Sequence, residues 1–297
     1  MSNKPRKMTL EKKHNLTGWA FLAPATFLIA VFSFWPMIKA LVLSFQTGKG
    51  RNMQMAGFTN YIRMFQDDVF IQSIKNTFFY FIIQVPIMLV VALVLACILN
   101  KKDLRFKGFF RTMIFVPCTT SLVAYSIIFR SLFANNGLVN YVLVNLGILD
   151  KPYNFLTQPF AAKIVIILAL LWRWTGYNMV FFLSGLQNIE YSVYEAAKID
   201  GASAIQTFFK ITVPLLKPTI LLTAIMSTNG TLQLFDESIN LTDGGPANAS
   251  ISMSHYIYNL CFKYVPNFGY AAAMSFFILL LVAVLAFIQM RVGDKRD

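Results

Sequence analysis

The stretch FFYFIIQVPIMLVVALVLACIL, residues 78–99, runs for 22 positions without a charged side chain. An α-helix rises about 1.5 Å per residue, so a helix of this length crosses the roughly 30 Å hydrocarbon core of a bilayer. An isolated strand cannot cross lipid, because its backbone N–H and C=O groups would stay unpaired there. The stretch therefore predicts a transmembrane helix.

The composition extends this prediction to the whole chain. Of its 297 residues, 57% are hydrophobic and 13% are charged, and the mean hydropathy is +0.58. A soluble domain carries about 25% charged residues. With about half that share of charged residues, this chain lacks the polar side chains to form the water-exposed surface of a soluble protein of its size. The composition therefore argues against a large soluble enzyme with an unusual core.

Six segments are apolar and long enough to span a bilayer as helices. They are residues 18–45, 75–99, 109–133, 160–186, 219–235 and 270–291. The sequence thus predicts an all-α membrane protein with a basic N-terminus over residues 1–17, a six-helix domain over 18–291 and a tail over 292–297.

The first segment also resembles a signal peptide, because it follows a basic start and contains Ala-Pro-Ala at residues 23–25. Its apolar run continues to Trp35, which is longer than the apolar region of a signal peptide. We therefore predict an uncleaved span, kinked near Pro24 or Pro36.

The net charge of +13 is distributed between the apolar segments. Sixteen Lys and Arg residues fall in the N-terminus, the tail and the links after the second and fourth segments, against about eight in the longer links on the other side. Cytoplasmic links of membrane proteins carry this excess, so both termini are predicted to be cytoplasmic. No nucleic-acid motif accompanies the charge, and no nucleic-acid partner is expected.

The link after the fourth segment is unusually well patterned: EYSVYEAAKIDGASAIQTFFKITVP, residues 190–214. Ser192 and Glu195 have capping-box spacing, which predicts a helix starting at Ser192. Gly201 allows a sharp turn, and Asp200 or Ser203 can cap a second helix. Pro214 is placed to end or kink that helix. The pattern alone fits either a partner-binding helix–turn–helix or an amphipathic helix resting on the membrane.

This run resembles the coupling loop of ATP-binding-cassette importer permeases, in which a short helix docks on a separate ATPase. The resemblance implies a type I importer fold in a bacterial cytoplasmic membrane and a coupling loop over about residues 187–217. Two positions depart from the family pattern, with Glu190 in place of Pro and Val213 in place of Leu. The ATPase-coupling residues that the resemblance implies are Tyr194, Glu195, Ala196, Ala197, Asp200, Gly201, Ala202, Phe208, Ile211 and Pro214.

Other segments narrow the resemblance to the carbohydrate-uptake branch. They include the T-x-G-G-P run at residues 242–246, which is similar to the maltose-type subunit that pairs with a second permease. The matching positions elsewhere are Gly57, Asn60, Tyr61, Asp67, Phe70, Asn76, Thr77, Arg111, Pro117, residues 137–140, residues 256–258 and residues 269–273. The resemblance leaves the solute open between oligosaccharides, monosaccharides and glycerol phosphates.

The fifth segment carries hydroxyls every four residues, at Thr219, Thr223, Ser227 and Thr231. Such a stripe faces a cavity, packs helices together or bonds back to the backbone of its own helix. The resemblance places the sugar path on this helix and on the fourth, where Arg173 is a charge inside a span. That arginine can pair with a partner carboxylate, contact solute or, as the default, snorkel to the interface. The predicted substrate-path residues are Trp172, Trp174, Gly176, Asn178, Ser227, Asn229 and Thr231.

The remaining motifs argue against an enzyme. No Walker sequence is present, so the resemblance assigns ATP and Mg²⁺ to a separate ATPase, with no cofactor on this chain. His14 and His255 are predicted to lie on the surface, and the three cysteines lack metal spacing. An intramembrane protease or glycosyltransferase would need a catalytic motif, and an ion-coupled transporter would usually show internal repeats. The expected partners are a second permease, two ATPase subunits, an extracytoplasmic solute-binding protein, a sugar or sugar-like solute and the lipid bilayer.

Overall fold

The computed structural model describes residues 9–49, 52–101 and 103–293, which are mostly helical. In chain order the helices are α1 (Leu10–Ser44), α2 (Thr59–Met64), α3 (Asp68–Leu99), α4 (Lys107–Thr119), α5 (Leu122–Leu132), α6 (Leu138–Asn145), α7 (Pro159–Gln187), α8 (Tyr191–Ile199), α9 (Ala204–Leu215), α10 (Lys217–Leu232), α11 (Asp236–Thr242), α12 (Met253–Tyr258) and α13 (Phe268–Gly293). Strands β1 (Gln46–Lys49) and β2 (Asn52–Met55) form an antiparallel hairpin with Gln46 opposite Met55.

Four helices, α1, α3, α7 and α13, are each long and apolar enough to cross a membrane. Two bent pairs complete the set if each counts as one span: α4 with α5, bent by 99°, and α9 with α10, bent by 70°. The described residues therefore hold four to six candidate spans, which accommodates the six predicted segments. Helix α10 begins at Lys217 and ends at Leu232, two residues before the predicted start of the fifth span and three before its predicted end.

The prediction of one continuous helix over residues 109–133 is wrong. Helix α4 ends at Thr119, and α5 begins at Leu122 in a different direction. Between them Thr120 and Ser121 have extended backbone, with ψ of 145° and 136°. Pro117 in the last turn of α4 cannot donate a backbone hydrogen bond, which weakens the helix at this point.

The first span differs from its prediction at its start and in its irregularity. Helix α1 begins at Leu10, so residues 10–17 of the predicted N-terminal segment are helical, and residues 1–8 lie outside the described part of the chain. Its departure from α-geometry is a π-helical turn at Ala30–Phe34, between the two prolines that were expected to kink it. At the other terminus, helix α13 extends to Gly293, and residues 294–297 lie outside the described range.

Helices α3 and α7 form the centre of the bundle, with α4 and α10 packed beside them. Gly176 permits the contact between α7 and α4, because a Cβ atom there would collide with the backbone carbonyl of Ile114. Helix α13 packs on the last turns of α1 and on α10.

A partly buried carboxylate, Asp67, ties together the bundle end at which α3 and α13 begin. Asp67 caps α3 by accepting bonds from the backbone of Val69 and Phe70, and its Oδ2 atom accepts bonds of 2.7 Å from the hydroxyls of Tyr256 and Tyr270. Burial alone would raise the pKa of Asp67, but these four hydrogen bonds outweigh it and lower the pKa. Asp67, Tyr256 and Tyr270 thus hold the starts of α3, α12 and α13 at fixed distances.

Candidate functional site

The predicted coupling loop folds as a helix–turn–helix. Helix α8 ends at Ile199, and Gly201 follows with φ of +72°, a conformation that residues with a Cβ atom rarely adopt. The turn closes through backbone bonds from Gly201 to Lys198 (3.2 Å) and from Ala202 to Ala197 (2.9 Å). No described atom of this chain lies within 4 Å of the place where a Cβ of Gly201 would sit, so within the described chain the backbone conformation is the reason for this glycine.

The helix caps in this loop are partly as predicted. Ser203 caps α9 in a capping box, because its hydroxyl accepts the Gln206 N–H while the Gln206 side chain accepts the Ser203 N–H. The box predicted at Ser192 does not form. Helix α8 begins one residue earlier, at Tyr191, and the Ser192 hydroxyl donates instead to the Glu190 carboxylate at 3.3 Å. Pro214 lies in the last turn of α9, directly before the 70° bend into α10.

The loop buries one side and exposes the other. Phe208 packs into an apolar cluster with Leu216 and Phe182, Ala197 is buried, and Tyr194 lies 3.4 Å from the Thr212 hydroxyl. The predicted coupling residues that are partly exposed are Tyr194, Ala202, Phe208 and Ile211, and those that are exposed are Glu195, Ala196, Asp200, Gly201 and Pro214. Three large apolar side chains also project from the loop, with exposed fractions of 84% for Ile199, 72% for Ile205 and 64% for Phe209.

A cavity of about 470 Å³ lies between α3, α7 and α10. Of the seven predicted path residues it brings together four, Trp174 and Asn178 from α7 with Ser227 and Thr231 from α10. Their polar groups are already linked: the Ser227 hydroxyl donates to the Asn178 side-chain oxygen at 3.3 Å, and Thr231 donates to the Gln84 side-chain oxygen at 3.0 Å.

The other three predicted path residues lie elsewhere. Trp172 stacks on Tyr125 with ring centroids 6.3 Å apart, and Gly176 is at the contact between α4 and α7. Asn229 is exposed and accepts a hydrogen bond from Gln233. Helical position explains the difference, because residues two apart on a helix face in different directions.

Arg173 does not snorkel to an interface, contrary to the default expectation. Its side chain is 6% exposed and lines the cavity. The guanidinium lies 4.8 Å from the ring centroid of Tyr125, and its Nη1 donates to the Thr120 carbonyl at 3.0 Å. That carbonyl accepts this bond in the break between α4 and α5, so the broken helix explains the burial of the arginine.

Sequence reasoning missed two contributors to this cavity, Gln84 and Glu237. Glu237 is 4% exposed, and its burial raises its pKa, which the nearby Tyr125 hydroxyl partly opposes. An acidic pair directly after an apolar span, Asp236 and Glu237, was the available signal.

The prediction that His255 lies on the surface is wrong, since its side chain is fully buried. Its Nδ1 shares a 2.9 Å hydrogen bond with the Ser238 hydroxyl, and its Nε2 lies 3.7 Å from Asp243. Burial lowers the pKa of His255 to about 4. In the described part of the chain no three His, Cys, Asp or Glu side chains come together as metal ligands.

Comparison with known proteins decides the family. The model of the family described as binding-protein-dependent transport system inner membrane component matches residues 25–296. The chain belongs to this family. It is 51% identical to the lactose transport system permease protein of Rhizobium radiobacter, over 98% of both chains. It is 31% identical to the arabinooligosaccharides transport system permease protein of Bacillus subtilis, over 93% of this chain and 88% of the other.

Solved structures agree with the fold. A chain of a bacterial ABC transporter involved in import of the acidic polysaccharide alginate superposes with a TM-score of 0.84, covering 96% of this chain and 97% of that one at 24% identity. A chain of a bacterial alginate ABC transporter was solved in complex with an alginate pentasaccharide-bound periplasmic protein. It superposes with a TM-score of 0.83 at 25% identity, covering 95% of this chain and 96% of that one. The predicted importer-permease fold and multi-pass membrane location are thereby confirmed, and the role is transport. The roles of individual residues remain predictions.

Proposed function

We propose that this chain is one of two permease subunits of an ATP-driven importer for a disaccharide or short oligosaccharide. The observation that supports it best is the cavity between α3, α7 and α10. It offers the aromatic face of Trp174 and the polar edges of Asn178 and Ser227, which suit the C–H faces and hydroxyls of a sugar. The lactose and arabinooligosaccharides permeases among its relatives favour this solute class.

The same proposal assigns the energy source to other subunits. An extracytoplasmic binding protein delivers the sugar, and two ATPase subunits, which hold ATP and Mg²⁺, dock on the loop at residues 187–217. The exposed side chains of Ile199, Ile205 and Phe209 support docking, because exposed apolar surface of this kind usually marks a partner site. In this arrangement both termini and the coupling loop are cytoplasmic, as the cationic links favour.

The decisive test is sugar uptake by the complete complex in vesicles, with ATP inside and binding protein outside. We expect uptake of labelled lactose or arabinooligosaccharide only when both are present. Ser227→Ala removes a cavity hydroxyl and should raise the half-saturating sugar concentration or change the order of preference. Thr223→Val, one turn away on α10 with a hydroxyl bonded only to its own helix, is the matched control. ATP-dependent uptake of an unrelated solute and of no sugar would overturn the proposal.

A further inference from the structure

A second cavity, of about 770 Å³, lies at the bundle end that carries the coupling loop. It is enclosed by the last turns of α3 and α7, by the link from α3 to α4 and by α8. Three cationic side chains line it, Lys101, Lys107 and Arg111, against the single carboxylate of Asp103. The coupling loop contributes Tyr194, so the cavity and the loop share a wall.

The positive charges in this cavity are not neutralised within the described chain. Over residues 9–49, 52–101 and 103–293 the ion pairs all involve Asp243, far along the sequence, so neither Lys101 nor Lys107 pairs with an acid. Arg111 donates from Nη2 to the Leu99 carbonyl at 2.8 Å. Its Nε is buried without a hydrogen-bond partner among the described atoms. A buried donor left unsatisfied is costly, which favours an additional acceptor at this position.

The start of α4 adds to the positive potential. The helix begins at Lys107 with no side-chain cap and no acidic residue in its first turn. Its free backbone N–H groups carry the positive end of the helix dipole, and Arg111 follows Lys107 by one turn on the same face. Positive side chains at a helix N-terminus repel the positive end of the helix dipole. An anion at this place would attract both the side chains and the free N–H groups of the helix.

The surroundings of the cavity indicate the depth at which such an anion would bind. Phe106, Phe109 and Phe110 flank Lys107, and their side chains are 78%, 58% and 44% exposed. Aromatic rings next to lysines are typical of the membrane–water interface, where lipid phosphates lie.

We propose that this cavity binds a phosphate-bearing anion, held by Lys101 and Lys107 against the wall formed by the coupling loop. The chemistry fits the headgroup of an anionic phospholipid or a soluble phosphate monoester. An occupant would lie beside Tyr194, where it could influence the position of the loop. The proposal does not depend on which solute the protein transports.

Binding to the purified full-length chain in detergent tests the site. Native mass spectrometry would measure retention of phosphatidylglycerol against phosphatidylcholine, and calorimetry would measure binding of glycerol 3-phosphate. We expect the double variant Lys101→Ser, Lys107→Ser to weaken binding by about 30-fold, because one lysine near an anionic surface contributes about a factor of five. Lys12→Ser, Lys13→Ser removes the same charge from α1 and is the matched control. Both pairs are exposed, and a thermal melt of each variant checks folding.

The outcomes of this experiment distinguish a lipid headgroup from a soluble phosphate, and they show which results contradict the proposal. Selective retention of phosphatidylglycerol alone assigns the site to lipid, and comparable binding of glycerol 3-phosphate assigns it to a soluble phosphate; both support the proposal. Equal binding by wild type and by the Lys101 and Lys107 variant overturns it, as does an equal loss in the control. If that variant instead binds both anions normally but no longer co-purifies with the ATPase subunits, the cavity is a protein contact and the proposal is wrong.

Discussion

At the scale of single residues, the hydroxyl stripe on α10 divides into two kinds of group. Thr223 bonds back to the carbonyls of Thr219 and Ile220 in its own helix, and this needs no partner from another helix. Thr231 instead donates to Gln84 on α3, with both side chains buried. A stripe that looks uniform in the sequence therefore contains a local bond at one end and an interhelical bond at the cavity.

Thr231→Val is expected to lower both stability and sugar selectivity. The substitution keeps the side-chain volume but leaves the buried Gln84 oxygen without its donor, which typically costs about 1–3 kcal/mol. The melting temperature of the complex should fall, and the relative uptake of two sugars should change. Thr223→Val should leave both measurements near the wild-type values. A lower melting temperature with unchanged sugar preference would assign Thr231 to helix packing alone.

His255 is expected to make the protein less stable as the pH falls below about 6.5. Its pKa is 6.5 when free and about 4 in the folded chain, so between these values the unfolded state binds more protons and stability rises with pH. From pH 7 to pH 5 this linkage removes about 1–2 kcal/mol. Between pH 7 and pH 5 the melting temperature should fall less for His255→Asn than for wild type. His14→Asn, at an exposed position, should behave as wild type, and equal decreases in all three proteins would refute the assignment.

At the scale of elements, the sequence predicted which segments form helices better than where they break. Long apolar runs give α3 and α7 directly, since helix formation there depends on hydrophobicity over many residues. Pro117 weakens α4 locally, but the partner of the Thr120 carbonyl in the break, the guanidinium of Arg173, is 53 residues away in sequence and no local pattern reveals it. The same reason explains His255, because its burial depends on Ser238, 17 residues away in sequence.

In the turn between α8 and α9, substitutions at Gly201 can test whether transport requires the backbone conformation of this residue. Its φ of +72° disfavours a β-branched residue, whereas Asn tolerates this region. Gly201→Val should strongly reduce uptake while the subunit still inserts, because a β-branched residue in this conformation costs about 1–2 kcal/mol and should displace the turn. Gly201→Asn should retain most of the activity. If Asn and Val fail equally while ATPase subunits detach, close approach by the partner and not φ is the reason for glycine.

At the scale of the whole molecule, the orientation in the membrane is testable from two exposed positions at opposite ends of the bundle. In a background without native cysteines, Ile148→Cys lies in the link between α6 and α7, and Ile199→Cys lies in the coupling loop. A membrane-impermeant maleimide should label position 148 in intact spheroplasts and position 199 only after permeabilisation, because the cationic links belong on the cytoplasmic side. The reverse pattern would invert the proposed topology.

The proposed assembly with a second permease and two ATPase subunits depends on the predicted coupling loop. The apolar side chains of Ile199 and Phe209 project from a loop that also carries exposed Glu195, and no described part of the chain covers them, so this face is the proposed docking surface. Native mass spectrometry of the complex should therefore find this chain with one second permease and two ATPase subunits. Glu195→Lys reverses a charge on the docking surface and should release the ATPase while the second permease stays bound. Glu190→Lys, exposed at the start of the same loop, is the matched control and should keep the whole complex. A stable, transporting homodimer without an ATPase would contradict both the assembly and the coupling role of this loop.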